Sequence, residues 1–506
     1  MKTFFKKNKF QIILFIIFII SAVFFSSHYL INWDAGQFAL GTQNYDLNNH
    51  QPHTPGYFLF VKGAQVLNYI IGNINICFII INLIAGALAI YFLYKLIVLI
   101  SQNKKTSFII TLLFIVNPVF WYYHNIANTY IFESLAIILT SLFTYKSFLG
   151  HKNSLIYNLG LIAVLMGFRP SIIIVTLPLL IIQFIFAKQK LKNFLLGFLI
   201  FVILFAVWFI PFINIIGFDN FIDITKNQLQ VSSEAFSQKS QIVFLIKSIL
   251  LSLNVLILLL LIRIKKNFKF LKDKKLFYFL IPALITLLFY TFVHIGEVGY
   301  ILSIIPLFYL FIILPIQYFS KKSWGIVFII LILILQISIF IWPQTIFKDN
   351  KIEKLNYLSI KKHDQRIYNY KKLLYSQYLY KTTLILVLRG QYLDEQQNIQ
   401  SYEYDDIRVL GYYLPDYNLY DFSGVTSEYS VIGGFKTEKY FTNQIKIIPN
   451  NTDKIVIIAD YINPIDYPDE FEIEEKQIPQ TNQMYYTGNI AEIDKFEFKG
   501  FFFNKR

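Results

Sequence analysis

Over its first two thirds the chain alternates long apolar runs with short polar intervals, and beyond residue 343 that alternation stops. Clear runs occupy 10–26, 74–99, 107–123, 129–148, 154–168, 171–187, 194–213, 241–262, 276–293, 300–318 and 325–342. Each approaches the ~20 residues with which a helix crosses a ~30 Å hydrocarbon core. Segment 57–72 is interrupted by Lys62 and predicts an amphipathic or half-inserted helix. In 343–506 the apolar stretches shorten to TLILVL (383–388), NQIKII (443–448) and KIVIIA (454–459), which predict short buried strands. Helical character spans 352–381 and 402–413. The pattern predicts a polytopic α-helical membrane protein of about eleven transmembrane helices with a small C-terminal extracytoplasmic α/β domain. The expected boundaries are 1–342 for the membrane part, with a first outer loop at 27–73, and 343–506 for the outer domain.

Charge orients this framework. The net charge of +15 divides into 26 Lys/Arg against 8 Asp/Glu in 1–342, and 20 against 23 in 343–506. Cations confined to short loops are topology signals rather than a stripe for a nucleic-acid backbone, so no nucleic-acid partner is expected. Lys2, Lys6, Lys7 and Lys9 precede the first run, and no small-residue cleavage site follows it. That predicts a retained signal anchor with a cytoplasmic amino terminus. Threading the spans alternately places the basic intervals 101–106, 149–153, 188–193, 263–275 and 320–324 inside. An odd number of spans then puts the C-terminal domain outside a cell membrane crossed many times. Cys77 is the one cysteine, which excludes disulfides within the chain and multi-cysteine metal sites.

The acids supply the candidate chemistry. Of the eight before residue 343 only Asp273 falls inside; Asp34, Asp46, Glu133, Asp219, Asp223, Glu234 and Glu297 fall at or near the outer face. An ionisable group in or beside a span is a functional candidate, although basic inner loops alone would produce part of this asymmetry. The longest polar interval before the C-terminal region, 28–57, holds Asp34, Asp46, His50 and His53. A carboxylate in a partly dry pocket can take a proton from an acceptor hydroxyl, and Asp34 is the candidate for that role against an ordinary solvated loop acid. HQPHTPGYFLF (50–60) reads as a turn that returns the chain to the membrane at Tyr57. Its two histidines suit hydrogen bonds to a substrate better than metal ligation. In NPVFWYYHNIANTYIFESL (117–135), Tyr130 and Glu133 share a helix face toward whatever His124 and Asn128 line; a second active-site carboxylate and a structural buried acid weigh evenly for Glu133. Arg169 in GFRPS suits a phosphate through its planar fork, and Lys247 either meets the same anion or reaches for lipid headgroups. His294 and Tyr300 sit at a further outer turn.

WDAGQFA (33–39), HTPGYFLF (53–60), NPVFWYYHNIANTYIFES (117–134), GFRPS and HIGEVGY together resemble the C-type membrane glycosyltransferase superfamily, which includes protein O-mannosyltransferases and aminoarabinose lipid A transferases. The resemblance covers about 10–340; the outer region matches in placement and in RVLGYYLPDYNLYDF (408–422). It implies a polyprenyl-phosphate-linked sugar donor, a lipid, protein or glycan acceptor, and an acid of the first outer loop as base. Carried over by position, the base is Asp34, with Glu133 the second carboxylate and Arg169 a donor-phosphate ligand. Ala35 stands where many relatives have a second acid, so no paired-acid metal motif is present and a divalent metal stays an open requirement. The substrate-binding set expected is His50, His53, Tyr57, His124, Tyr130, Arg169, Lys247, His294 and Tyr300. The competing readings are a transporter or flippase of lipid-linked saccharide and a non-catalytic envelope assembly protein.

Overall fold

The computed structural model describes residues 2–187, 190–234, 238–261, 274–292, 296–389, 391–393, 399–401, 407–423, 428–432, 436–440, 445–459, 468–498 and 501–505. The chain divides into two compact units, one of Met1–Ser27 with Thr54–Ile360, the other of His28–His53 with Lys361–Arg506. Residues 28–53 therefore group with the C-terminal region, whereas 54–73, the rest of the expected first loop, belong to the helical unit.

The larger unit is helical. Among the described residues five helices are long and apolar enough to span a membrane: the stretch Asn8–Phe25, then Ile74–Ser101, Ile131–Phe148, Leu191–Ile216 and Ser323–Ile341. The expected span at 107–123 is instead two helices, Lys104–Ile115 and Pro118–His124, bent by 64°. Pro118 has no amide hydrogen to continue the first helix, and Asn117 restarts the chain by accepting from the amides of Val119 and Phe120. Counted as one span, the pair raises the number to six. Phe58–Ile71, Ser154–Phe168, Ile172–Phe186 and Leu280–Phe292 are apolar but shorter. The region expected to span at 300–318 is a 3-10 turn, Val298–Ser303, followed by Ile305–Phe311 and Ile313–Phe319. Leu191–Ile216 buries Gly197, Trp208 and Phe212 and exposes large apolar side chains such as Leu195, Ile203 and Val207, as a surface facing lipid does. The chain is a multi-pass membrane protein, and among the described residues five or six helices are long and apolar enough to span, against the eleven expected.

The smaller unit holds a five-stranded sheet ordered Asn418–Ser423, Thr383–Arg389, Lys454–Ile458, Met484–Asn489, Ile473–Gln477. The first three strands run parallel and the last two are antiparallel additions. Leu384, Ile385, Leu386 and Val387 are all fully buried, as expected of a parallel strand covered on both faces. Leu384 and Leu386 pack with Ile455, Ile457, Tyr420 and Tyr486. Helices Tyr357–Gln377 and Ile407–Tyr413 occupy the stretches where helical character was expected.

Candidate functional site

Two polar clusters, one in each unit, contain most of the residues singled out above. In the smaller unit, Asn32 caps helix Trp33–Gln43 by accepting from the amide of Ala35 at 3.0 Å, which sets Asp34 in the first turn. Asp34 and Gln37 are three apart and share a face, and His53 lies over both. Its Nδ1 donates to Gln37 Oε1 at 2.7 Å and lies 3.8 Å from Asp34 Oδ1. The Asp34 side chain keeps 26% of its surface exposed. The carboxylate is thus held beside an imidazole and remains open to an incoming hydroxyl.

The loop that returns to His53 is fixed locally. Asp46 and Gln51 exchange backbone hydrogen bonds of 2.7 and 2.8 Å, and the Asp46 carboxylate accepts from the Asn48 amide and the Asn49 side chain. His50 occupies the left-handed region at φ 52. Burial, then the charges of Arg408 and His53, lower its pKa to about 4, so it is neutral at pH 7.

Residues from the C-terminal stretch hold this loop in place. The Asp364 carboxylate accepts from the amides of His28 and Tyr29 at 2.8 and 3.0 Å. Burial raises its pKa to about 6, against the lowering effect of those two bonds. The Tyr413 hydroxyl accepts from the amide of Leu30 at 3.0 Å. Arg408 is wholly buried, donates to the Asn49 carbonyl at 3.0 Å and stands 5.4 Å from the Trp33 ring. Gly36 permits this: a Cβ there would lie 2.8 Å from the Arg408 backbone. These partners of the loop were missed in the sequence, because nothing local to Asp364 or Arg408 announces a partner more than three hundred residues away.

In the larger unit Arg169 ends helix Ser154–Phe168 in an extended conformation (φ −153°), as a residue before proline favours. Its Nε donates to Glu133 Oε1 at 2.5 Å and its Nη1 to Thr129 Oγ1 at 2.7 Å. The guanidinium carbon is 4.0 Å from the Tyr130 ring centre, 5.1 Å from that of Tyr300 and 5.9 Å from that of Tyr57. Glu133, in the first turn of Ile131–Phe148, also accepts from Ser171 at 2.8 Å and from the Tyr290 hydroxyl at 3.4 Å. A Cβ at Gly299 would overlap the Tyr130 ring, so only glycine lets Tyr300 close the cage. Both charges are buried, at 3% and 0% exposure, and are compensated by each other. Arg169 offers five N–H donors, two of which face Glu133 and Thr129; the rest of the fork can receive an anion.

The structure thus groups Asp34 with His53, and Arg169 with Glu133, Tyr57, Tyr130 and Tyr300. Lys247 stands apart, with Nζ 3.4 Å from Asp349. His124 is buried against Phe18, its Nδ1 donating to the Phe120 carbonyl at 2.9 Å. His294 lies outside the described residues. Thr129, Ser171, Tyr290 and Gln37 were not singled out in the sequence, where hydroxyl and amide side chains beside a candidate carry no distinguishing signal.

No protein-family model and no curated protein matches the chain. Solved structures do. The crystal structure of ArnT from Cupriavidus metallidurans bound to undecaprenyl phosphate matches 96% of this chain and 98% of that one, with TM-score 0.58 and 9% identity. The same protein in the apo state matches 95% and 98%, with TM-score 0.60 and 10% identity. ArnT is an aminoarabinose transferase of the C-type glycosyltransferase class, so the resemblance first carried by short motifs extends to the fold.

Proposed function

We propose that this chain, sharing the fold of ArnT over nearly its whole length, is an integral membrane glycosyltransferase that moves a sugar from a polyprenyl-phosphate donor to an acceptor hydroxyl or amine. That end-to-end likeness to a protein bound to undecaprenyl phosphate is the observation that carries the reading. Asp34 acts as general base: it takes the acceptor proton as the acceptor oxygen or nitrogen attacks the anomeric carbon, and the carbon–oxygen bond to phosphate breaks with its electron pair leaving on the phosphate. Attack opposite the leaving group inverts the anomeric centre. His53 limits the carboxylate's rotation, and Gln37 fixes the imidazole. Arg169 is the ligand of the departing phosphate, where a guanidinium in a dry site stabilises developing charge. Glu133 keeps Arg169 in place and is a positioning residue. The reaction takes place on the extracytoplasmic face, with the amino terminus in the cytoplasm.

The test is sugar transfer in proteoliposomes from a synthetic polyprenyl-phosphate sugar. Asp34→Asn is expected to lower turnover by ~10²–10⁴-fold, the usual worth of a general base. Wild-type turnover in that variant would overturn the assignment.

A further inference from the structure

A second polar feature of the larger unit lies at the opposite ends of the two helices that carry Glu133 and Arg169. Lys146, Gly150, His151, Lys152, Asn153 and Ser154 line an open cavity of about 490 Å³, with Phe143 and Tyr157 as its aromatic walls. Lys146 lies 5.1 Å from the Phe143 ring centre. Asn193 donates to the Lys152 carbonyl at 2.8 Å, which ties the first turn of Leu191–Ile216 to a residue of the cavity lining. Between Glu133 and Asp219 the sequence contains no Asp or Glu. Among the described residues no carboxylate pairs with Lys146, Lys152, Lys190 or Lys192, unlike Lys247 and Lys351, which have acidic partners.

The helices behind the cavity add to its positive field. A Cβ at Gly197 would touch Ile156 and Leu159, and one at Gly160 would touch Ile200 and Leu204. Contacts that advance together along both chains mean that Ser154–Phe168 and Leu191–Ile216 run parallel, so their amino ends and the positive ends of their dipoles lie side by side. Directly below, Leu195, Phe198, Leu199 and Tyr157 expose large apolar surfaces. Unpaired cations above a greasy wall match an amphiphile with an anionic head.

We propose that this cavity binds the headgroup of an anionic phospholipid, whose acyl chains lie along Leu191–Ile216. The cations hold the phosphate, and the aromatic walls seat the glycerol region as interfacial tyrosines do.

The experiment uses the full chain, delipidated in neutral detergent, and counts lipid adducts by native mass spectrometry during titration with phosphatidylglycerol or phosphatidylcholine. Preferential retention of phosphatidylglycerol is expected, with affinity falling at least about fivefold in the Lys146→Gln, Lys152→Gln double variant. The control double variant Lys104→Gln, Lys321→Gln, in two other basic intervals, is expected to bind as the parent does. Equal loss in the control, or unchanged binding in the Lys146 and Lys152 variant, would overturn the proposal. So would displacement of the lipid by millimolar inorganic phosphate alone, which would identify a soluble anion as the occupant.

Discussion

Two carboxylates, Asp34 and Glu133, occupy opposite extremes of confinement. Glu133 is fully buried and satisfied by Arg169, Ser171 and Tyr290, whereas Asp34 is a quarter exposed and has His53 no nearer than 3.8 Å. A buried carboxylate whose oxygens already accept from an arginine, a serine and a tyrosine is expensive to disturb and poorly available as a base. A carboxylate with open lone pairs beside a rigid neighbour costs the fold little and can accept a proton. Under the proposed function, the difference separates a residue that builds a site from one that reacts in it.

The largest effect expected from this contrast is on turnover alone. Asp34→Ala should abolish measurable sugar transfer while leaving the thermal unfolding midpoint in detergent within a degree or two of the parent; a collapse of the midpoint would put Asp34 with Glu133 as a structural acid. Next in size, Glu133→Gln should destabilise by ~3–5 kcal/mol, because it leaves the Arg169 charge buried and uncompensated. Adding Arg169→Met should restore most of that loss, read by the same thermal scan, and failure to restore it would mean the two charges are not one unit. Smaller again, Gly36→Ala should cost ~1–3 kcal/mol and slow transfer without touching Asp34, since a Cβ there meets the Arg408 backbone at 2.8 Å.

The smallest effect is a pH dependence. Asp364 has a folded pKa of about 6, above its value of 3.8 when unfolded. The folded state therefore holds this proton more tightly between pH 4 and 6, and the stability so gained is lost as pH rises through 6. His50 works in the other direction: with a folded pKa of about 4 against 6.5, it removes stability as pH falls below 6.5. Replacing Asp364 by Asn should leave the His50 dependence alone. The midpoint of the variant relative to the parent should then rise as pH goes from 4 to 7. A difference that stays flat across that range would show that Asp364 does not titrate there.

Much of the fold was legible because its elements are local. The helices at 154–168 and 172–186 and the strand beginning at Thr383 follow from uninterrupted apolar runs bounded by turn formers. Hydropathy reads 107–123 as one span, and Asn117 and Pro118 bend it by 64° without making it polar, while the bent pair together keeps the length and composition of a span. Hydropathy overstated 300–318, where short helical pieces replace one long rod. The candidate residues were visible as types: a carboxylate in an outer loop, an arginine before a proline. Their partners were not. Nothing in the string says that Arg169 meets Glu133 and Thr129, since that pairing depends on how four chain segments pack.

The loop bearing Asp34 is bonded to Asp364, 336 residues downstream of His28, and to Arg408, 359 residues beyond Asn49. At a synthesis rate of about 5–20 residues per second, its partners emerge roughly 20–70 s later. During that interval the segment has been synthesised but lacks the scaffold that shapes it. Assembly of the loop that bears Asp34 therefore comes late, and a nascent chain cut short before Asp364 would lack the bonds to His28 and Tyr29 that hold it.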